Sequence, residues 1–401
     1  MTTTAPVPVA SGVRPQPMRY GALLVMMATS FLLVTAEFLP GGLLTDIATE
    51  IGVTPGQAGQ MVTVTALAGL IVAPTIGLML PRLDRRSLLV WMAIGATVSN
   101  IVVAIAPNLP LLLLARVLLG GALSGFWSMS VTVAARIAGP ERLGRAMMFT
   151  SAGVSLATVA GIPLGVLLSQ ALDWRGVFAI AAAGTGLLAV ALRIALPSVP
   201  AEGAARLSTL VDTFRRRGIG LGIVGHVLVV LGHFLAYTYI RVALERVHDG
   251  DAPINAGTII LLLALFGIGG FIGNIGIGVI VDRSYRILAV VTPFVIAAMV
   301  LLMNAFTGSL WAIGVVVFVW GFFFASWLLI ANTWIGHRMP DRLEAGGSLV
   351  VMGFQAAIMT AAALGGALVD GIGITQVYVI GAAVLVVGAV LFGLSDRLSR
   401  R

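Results

Sequence analysis

The sequence predicts an all-α membrane protein whose twelve transmembrane helices form two six-helix, pseudo-symmetric halves. The chain has 401 residues, of which 59% are hydrophobic and 10% charged, whereas roughly a quarter of residues are charged in a soluble protein. A membrane-spanning helix needs about 20 apolar residues, so this length accommodates twelve spans and short loops. A related segment also recurs half a chain apart.

Twelve apolar runs follow one another along the chain, and we number the predicted spans from first to twelfth. Residues 1–19 have no apolar core before a cleavage site, so they are predicted to be a disordered cytoplasmic tail rather than a signal peptide. Residues 396–401 form a second predicted cytoplasmic tail. The spans are predicted at 20–44, 57–80, 87–106, 109–135, 146–170, 174–196, 216–243, 254–280, 286–306, 309–334, 344–369 and 374–395.

The arginines predict the orientation. All 24 basic residues are Arg; 20 fall on one side of the spans and three, Arg175, Arg241 and Arg246, on the other. Basic residues accumulate on the cytoplasmic side, so both termini are expected in the cytoplasm and the chain in the inner (plasma) membrane. The net charge of +8 therefore reflects topology, and no nucleic-acid partner is expected.

A polar stretch at the midpoint divides the chain into the halves 20–196 and 216–395, joined by a predicted cytoplasmic linker at 197–215. Within it, LSTLVDTFRRR is either an amphipathic interfacial helix or an ordinary connector, and we favour the connector.

The repeat joins the second span of each half to the third. GLMLPRLDRRSLLV begins at Gly77 and GVIVDRSYRILAV begins at Gly278, 201 residues later, with Pro81 opposite Asp282. Parallel repeats of this kind are typical of transporters that bind solute between two halves near the midplane. The charged residues either form gating ion pairs between the halves or serve topology alone. They are Arg82, Asp84, Arg85, Asp282, Arg283 and Arg286.

These segments resemble the major facilitator superfamily, whose motif between the second and third spans is G-x-x-x-D-R-x-G-R-R. Three further segments resemble its drug/proton antiporter branch, nearest to bacterial purine ribonucleoside and sugar efflux transporters: TAEFLPGGLLTDIA (35–48), LLLLARVLLGGALSGFWSMS (111–130) and GVSLATVAGIPLGVLLSQALDWRGVF (153–178). TYIR (238–241) and WGFFFASWLLIANTW (320–334) are similar to the nucleoside-efflux group. The resemblance implies a solute/proton antiporter that exports a nucleoside, sugar or drug.

Glu37 is an acidic residue inside the first span. A carboxylate there costs roughly 3 kcal/mol or more and usually marks an ion pathway or proton relay. It is either a proton-coupling site, as the resemblance implies, or a structural acid that stays protonated or paired. Pro40 predicts a kink beside it.

Arg116 is the one arginine predicted within a span. Its guanidinium stays charged and therefore needs carboxylates, carbonyls or water around it. With Gly120 it matches the family's R-x-x-x-G pattern, which implies a role in proton transfer; the alternative is a structural anchor near the inner end of the helix.

Gly153, Gly161, Pro163 and Gly165 give the fifth span a small-residue face that resembles the antiporter motif, with Ile162 inserted before the proline. Alone, such residues indicate close helix packing; with their neighbours they favour exchange over uniport.

Polar and aromatic residues in several spans are candidates for solute contact. His233 and Tyr237 share a stripe of the seventh span, and a histidine there either binds solute, relays a proton or fills the core. The tryptophans of the tenth span either stack on a ring or lie in interfacial belts, while Asn274 and Gln355 either line the cavity or join helices. The candidates are Trp127, His233, Tyr237, Asn274, Trp327, Asn332 and Gln355.

Other function classes find little support. The chain has no cysteine, no phosphate-binding loop and no histidine spacing typical of a metal site, so we expect no metal or cofactor and no enzyme. An uncoupled facilitator of the same fold and a membrane-embedded transferase remain as alternatives. The expected partners are protons, a small solute and the bilayer, with the protein acting as a monomer.

Overall fold

A computed structural model describes residues 18–53, 55–201, 207–249 and 252–398. Most of the predicted tail 1–19, part of the linker and residues 399–401 lie outside these ranges. The short strands β1 (His248–Asp249) and β2 (Ala252–Pro253) form an antiparallel pair. The described α-helices are α1 (Tyr20–Gly42), α2 (Leu44–Ile51), α3 (Pro55–Met79), α4 (Arg85–Ile105), α5 (Leu109–Ala138), α6 (Leu143–Leu156), α7 (Ile162–Ala195), α8 (Leu207–Arg215), α9 (Ile219–Tyr237), α10 (Ile240–Leu244), α11 (Ala256–Ala305), α12 (Leu310–Phe324), α13 (Trp327–Arg338), α14 (Leu343–Ile372) and α15 (Ile374–Leu398).

Ten helical stretches of the described chain are long and apolar enough to cross a membrane. One of them, Gly257–Ala305, has 49 residues, which would extend about 74 Å as a straight helix, more than twice the bilayer core. The N–H of His248 donates to the carbonyl of Thr307 over 2.8 Å, so the chain reverses within α11, which holds the eighth and ninth spans.

The fifth span is not among those ten, and a π-helical turn, Ala157–Gly161, separates its two helices, α6 and α7. The chain then reverses inside α7 at Asp173, whose φ of 60° is uncommon for a non-glycine residue. Its side chain accepts a hydrogen bond from the N–H of Gly176 over 2.8 Å, which caps the sixth span. All twelve predicted spans are therefore accounted for.

Glycines bring backbones into contact at matching places in the two halves. A Cβ at Gly120 of the fourth span would collide with the backbone oxygen of Thr65 in the second, and a Cβ at Gly321 of the tenth with that of Phe266 in the eighth. Close approach through small residues is a principal source of helix association in lipid. The repeat seen in the sequence is thus also a repeat in packing.

Large apolar side chains cover the outside of the bundle. Ile194 and Trp311 are 79% and 80% exposed. Patches of this kind cause aggregation in water but are satisfied by lipid chains, as expected for a membrane protein.

We call the side of the bundle that carries residues 80–84, 139–142 and 339–342 the basic face, and the other side the opposite face. The linker lies at the basic face, where Ser198 Oγ donates to Asp84 Oδ2 over 2.5 Å. The segment 207–215 is a helix, α8, so the helical alternative for the linker is the one observed.

Candidate functional site

Glu37 lies in the last third of α1, nearer to the opposite face than to the basic face. Its side chain is partly exposed. Pro40 stands in the last turn of α1, and α2 begins at Leu44. The predicted kink beside the acid therefore takes the form of a helix end.

Arg116 holds the backbone of the first span beside Glu37. Its guanidinium is fully buried, with Nη1 donating to the carbonyl of Ala36 and Nη2 to that of Glu37, both over 2.9 Å. Proline has no N–H, so Pro40 leaves the carbonyl four residues before it, that of Ala36, without its helical donor. Arg116 supplies the missing donor.

The same arginine reaches a third span. Arg116 Nε donates to Thr65 Oγ1 over 3.1 Å, and Gly120, one turn further on, lets the fourth span approach the backbone of Thr65. The two residues of the R-x-x-x-G pattern thus share one partner. Together they fix the first, second and fourth spans relative to one another.

Arg116 lies seven residues from Leu109, at the opposite-face end of α5. The expectation of an anchor near the inner end of the helix is therefore wrong in position, because the fourth span runs from the opposite face to the basic face. Among the described residues, no ion pair within 4 Å joins Arg116 to the carboxylate of Glu37. The carbonyl oxygens of Ala36 and Glu37 accept from the guanidinium in place of a carboxylate.

The small-residue face of the fifth span packs against the first span, which carries Glu37. Gly161 lies against Thr35 and Gly165 against Leu39, and a Cβ at either would collide with those side chains. Gly153 lies against Ser30, whose Oγ donates to the carbonyl of Thr150 over 2.5 Å. The fifth span therefore sets the position of the first.

Pro163 stands in the first turn of α7, directly after the π-helical turn. Such turns interrupt the regular hydrogen-bond ladder and are frequent at functional sites. The departure from regular helix in this span thus lies just before the proline, opposite the end of the first span.

Buried polar atoms without partners lie where the two halves meet. Gln355 Nε2 of the eleventh span and Ser124 Oγ of the fourth both lie against Gly69 of the second span. Both atoms are buried and neither has a hydrogen-bond partner. An unsatisfied buried polar group costs about 1–3 kcal/mol, so these atoms are candidates for binding a polar solute.

The interface of the fifth and eighth spans also contains buried polar atoms without hydrogen-bond partners. Asn274 Nδ2 donates to the carbonyl of Met148 over 2.8 Å, while Asn274 Oδ1 is buried without a partner. Ser151 and Ser155 follow Met148 on the same helical stripe, and their hydroxyls are also unpartnered. Asn274 therefore both joins the halves and leaves an acceptor for solute.

The histidines of the seventh span are hydrogen-bonded to tryptophans of the tenth. Trp327 Nε1 donates to His226 Nδ1, and Trp320 Nε1 to His233 Nδ1, both over 3.1 Å. An indole N–H is a donor only, so each Nδ1 accepts and each neutral imidazole carries its proton on Nε2. His226 Nε2 lies 3.1 Å from the carbonyl of Val350, which completes its bonding as a core residue.

The remaining candidates for solute contact are mostly buried. Trp327 is fully buried and packs on Phe392 of the twelfth span, so it faces the interior of its own half. Trp320 and Trp334 are also buried, so their interpretation as interfacial belt residues is wrong. His233 stacks with Tyr237, while Trp127 and Asn332 keep 7% and 3% exposure.

At the basic face two contacts close the gap between the halves. The fully buried Arg85 forms a two-pronged ion pair with Glu344 at the start of the eleventh span. Asp282 accepts hydrogen bonds from the N–H groups of Gly144 and Arg145 over 2.7 and 3.1 Å. Two of the six predicted gating residues thus bridge the halves in this conformation.

The other predicted gating residues do not make such bridges among the described contacts. Asp84 caps the third span by accepting from the N–H of Ser87 over 3.2 Å; it does not replace the missing acid at Pro81, a role that Glu344 takes. Arg82 and Arg283 are exposed, and Arg286 Nε donates to Tyr285 Oη over 3.2 Å.

Sequence reasoning missed Glu344, Thr65, Ser124, Ser151 and Ser155. Glu344 had a usable signal, because the start of the eleventh span is the repeat counterpart of the start of the fifth. Single hydroxyl residues in apolar spans carry no comparable signal, since they often bond their own helix backbone, as Thr65 Oγ1 does to the carbonyl of Met61.

Two six-span halves, closed at one face and lined with polar groups where they meet, define a membrane transporter. The family model of the Major Facilitator Superfamily matches residues 26–347, and the chain belongs to this superfamily. It is a transporter, not an enzyme.

Curated relatives cover nearly the whole chain. The purine ribonucleoside efflux pump NepI of Escherichia coli O1:K1 is 33% identical over 361 residues, covering 90% of both chains. The transcription regulatory protein OpdE of Pseudomonas aeruginosa is 32% identical over 383 residues, covering 94% of both.

Solved structures share the fold at low identity. The human organic anion transporter MFSD10 has a TM-score of 0.73 at 17% identity, with 94% of this chain and 100% of that one covered. The proton:xylose symporter XylE also has a TM-score of 0.73, at 14% identity, with 93% and 94% covered.

Proposed function

We propose that the protein is a proton-coupled exporter that moves a small polar solute out of the cell as protons enter. Purine ribonucleosides are the first solute class to test, because the E. coli relative NepI is named for that class. The observation that carries the proposal is the placement of Glu37, a partly exposed carboxyl on a backbone fixed by buried Arg116.

The coupling follows from alternating access. With the halves closed at the basic face, Glu37 lies near the opposite face, where it takes up a proton from outside. Glu37 releases this proton when the halves rock and expose the carboxyl to the other side of the membrane. Because Arg116 bonds carbonyls instead of the carboxylate, the proton does not have to displace an ion pair.

Solute recognition is assigned to the polar atoms between the halves. Gln355, Ser124 and the acceptor oxygen of Asn274 offer both donors and acceptors, which suit ribose hydroxyls and base edges. Solute binding would satisfy these groups, and solute release would leave them to water.

The test uses purified protein in vesicles with an imposed pH gradient, following a labelled purine ribonucleoside, a pyrimidine ribonucleoside and a hexose. We expect movement of the purine nucleoside against its gradient, and loss of this coupling in Glu37→Gln. Asp46→Asn, an exposed carboxylate on α2, is the matched control and should transport normally. Solute movement indifferent to the pH gradient would establish the uncoupled facilitator instead.

Arg116 acts in this scheme as a positioning residue. Arg116→Gln should abolish coupled transport, and Pro40→Ala, which returns an N–H donor to Ala36, should partly restore the pH dependence. A proton-carrying role would give no rescue, since the proline change supplies no charged group.

A further inference from the structure

A chamber of about 520 Å³ lies at the basic face, where the two halves and the linker meet. Its walls include residues of the second, fourth and eleventh spans and of the linker helix α8. Arg136 and Asp341 line it and are exposed, so the chamber opens to water at this face. Its volume is that of pockets which bind small organic molecules.

The chamber is separate from the polar atoms to which solute recognition is assigned. Thr132, which lines it, follows Ser124 by eight residues of the fourth span. Ser348, on the facing wall, precedes Gln355 by seven residues of the eleventh span. These spacings correspond to about 10–12 Å along a helix. The chamber therefore lies nearer to the basic face than Ser124 and Gln355 do.

The charges around the chamber favour an anion. Four charged residues line it: Arg136, Arg342, Asp341 and Glu344. Both carboxylates are already paired with arginines that do not line the chamber. Asp341 accepts from Nη1 and Nη2 of Arg216 over 2.9 and 2.5 Å, and Glu344 is paired with Arg85. Arginines therefore outnumber carboxylates in this set, and a cleft lined by excess positive charge attracts anions.

Arg136 is the cation available to a ligand. In the part of the chain that the structure describes, no hydrogen bond or ion pair involves Arg136. Arg342, by contrast, donates to Thr213 Oγ1 over 3.2 Å, and its Nε lies 3.7 Å from Asp341 Oδ2. Thr132 stands one turn before Arg136 on the same helical stripe, and its buried hydroxyl has no hydrogen-bond partner. A guanidinium beside a hydroxyl donor suits a phosphate or carboxylate group.

Much of the remaining lining is apolar. Leu78 of the second span, Met129 of the fourth and Leu210 of α8 contribute to the walls. An inorganic ion at Arg136 would leave these side chains against water. A ligand with an apolar body would cover them, and the hydrophobic effect favours that arrangement.

We propose that this chamber binds one small organic anion, with a phosphate or carboxylate group at Arg136 and Thr132 and an aromatic or other apolar body against Leu78, Met129 and Leu210. The site is distinct from the proposed solute path, and binding of the anion does not depend on proton coupling.

Isothermal titration calorimetry of the detergent-solubilised protein with 1-naphthyl phosphate tests the site. We expect one bound molecule per chain, about tenfold weaker binding in Arg136→Gln, and most of the affinity retained in Arg136→Lys. Thr132→Val removes the hydroxyl at nearly constant volume and should weaken binding about fivefold. Arg217→Gln, at an exposed arginine that follows α8 and does not line the chamber, is the matched control and should bind as the parent does.

Several results would overturn the proposal. Equal binding by the parent and Arg136→Gln would exclude this arginine, and an equal loss in Arg217→Gln would indicate a general charge effect. Equally tight binding of the uncharged 1-naphthyl glucoside would indicate adsorption of the apolar body alone. Displacement by millimolar inorganic phosphate would indicate a site for an inorganic anion, and displacement by an uncharged purine ribonucleoside would make the chamber part of the solute path.

Discussion

The two contacts that close the basic face arise from equivalent places of the repeat but use opposite charges. In the second copy, the carboxylate of Asp282 receives backbone N–H groups from the start of the fifth span. In the first copy, that position is Pro81, and Arg85 instead meets the carboxylate of Glu344 at the start of the eleventh span. The carboxylate thus lies between the second and third spans of the half in one copy, and at the start of the facing span in the other.

Burial makes the two contacts unequal. Arg85 is fully buried and cannot neutralise its charge, so it depends on Glu344. Asp282 is partly exposed and bonds to neutral amides at a helix start, where an acid gains modestly from the helix dipole. We therefore expect the contact of the first copy to contribute more to closure than that of the second.

Glu344→Gln should have the largest effect. It leaves the buried guanidinium of Arg85 without a carboxylate, which costs roughly 3 kcal/mol or more and shifts the population toward an open basic face. The chain lacks cysteine, so maleimide labelling of an introduced Ser128→Cys, at a fully buried residue of the fourth span, reports opening. We expect labelling to accelerate on the order of a hundredfold.

Glu141→Gln is the matched control for that variant, since Glu141 is an exposed acid at the same face. It should leave the labelling rate unchanged. An unchanged rate in Glu344→Gln itself would mean that the ion pair does not hold the halves closed.

Asp282→Asn should open the basic face less. The amide keeps one acceptor oxygen but loses the charge, for a cost of about 1 kcal/mol, and the same labelling should accelerate about fivefold. A larger effect than that of Glu344→Gln would reverse our ranking of the two contacts.

Pro81→Asp should rescue Glu344→Ala. Arg85 Nη1 already donates to the carbonyl of Leu80 over 3.2 Å, so an acid at the next residue stands close to the guanidinium. It also occupies the position from which Asp282 accepts N–H groups across the halves in the second copy. We expect the double variant to label within about tenfold of the parent. Pro81→Asn removes the proline without adding charge and should give no rescue.

Glu50→Gln, at the opposite face, should have the smallest effect on closure of the basic face. Glu50 accepts from Trp174 Nε1 over 2.6 Å and Arg175 Nε over 2.8 Å, and the hydrogen bond from Arg175 lowers its pKa. We expect a lower Tm, by a few degrees, with no change in Ser128→Cys labelling. Faster labelling would mean that a contact at the opposite face also controls closure of the basic face.

The pH dependence of that stability has a definite sign. The pKa of Glu50 is depressed in the folded state, so its contribution is complete above the ordinary Glu value of about 4.3 and is lost as the pH falls through the lowered value. The difference in Tm between the parent and Glu50→Gln should therefore shrink below about pH 4 in thermal unfolding measurements.

Much of the fold was predictable because lipid imposes a simple rule. Each span must be a long apolar helix, so composition and run length located all twelve, including the eighth and ninth within α11. The helical state of 207–215 was harder to predict, because an amphipathic segment at a surface also suits an irregular connector. The turn at Asp173 carries no sequence signal, since its left-handed φ is held by the capping of Gly176.

The candidate site was predictable in part. Glu37 and Arg116 stand out because charge is expensive in an apolar span. Their relation was not predictable, since only the packing of the first and fourth spans brings the guanidinium to the carbonyls freed by Pro40. Trp327 lies near the middle of the tenth span, which makes it a candidate for solute contact, but this depth does not say which side of the half its side chain faces.

The sequence by itself determined the membrane class, the number of spans, the repeat and the two charged residues inside spans, because hydropathy and charge act residue by residue. The tertiary structure decided which groups meet: Arg85 with Glu344, Asp282 with the start of the fifth span, and the histidines with the tryptophans. These pairings join residues from different spans, and side-chain hydrogen bonds act over about 3 Å, a distance that only the packed helices define.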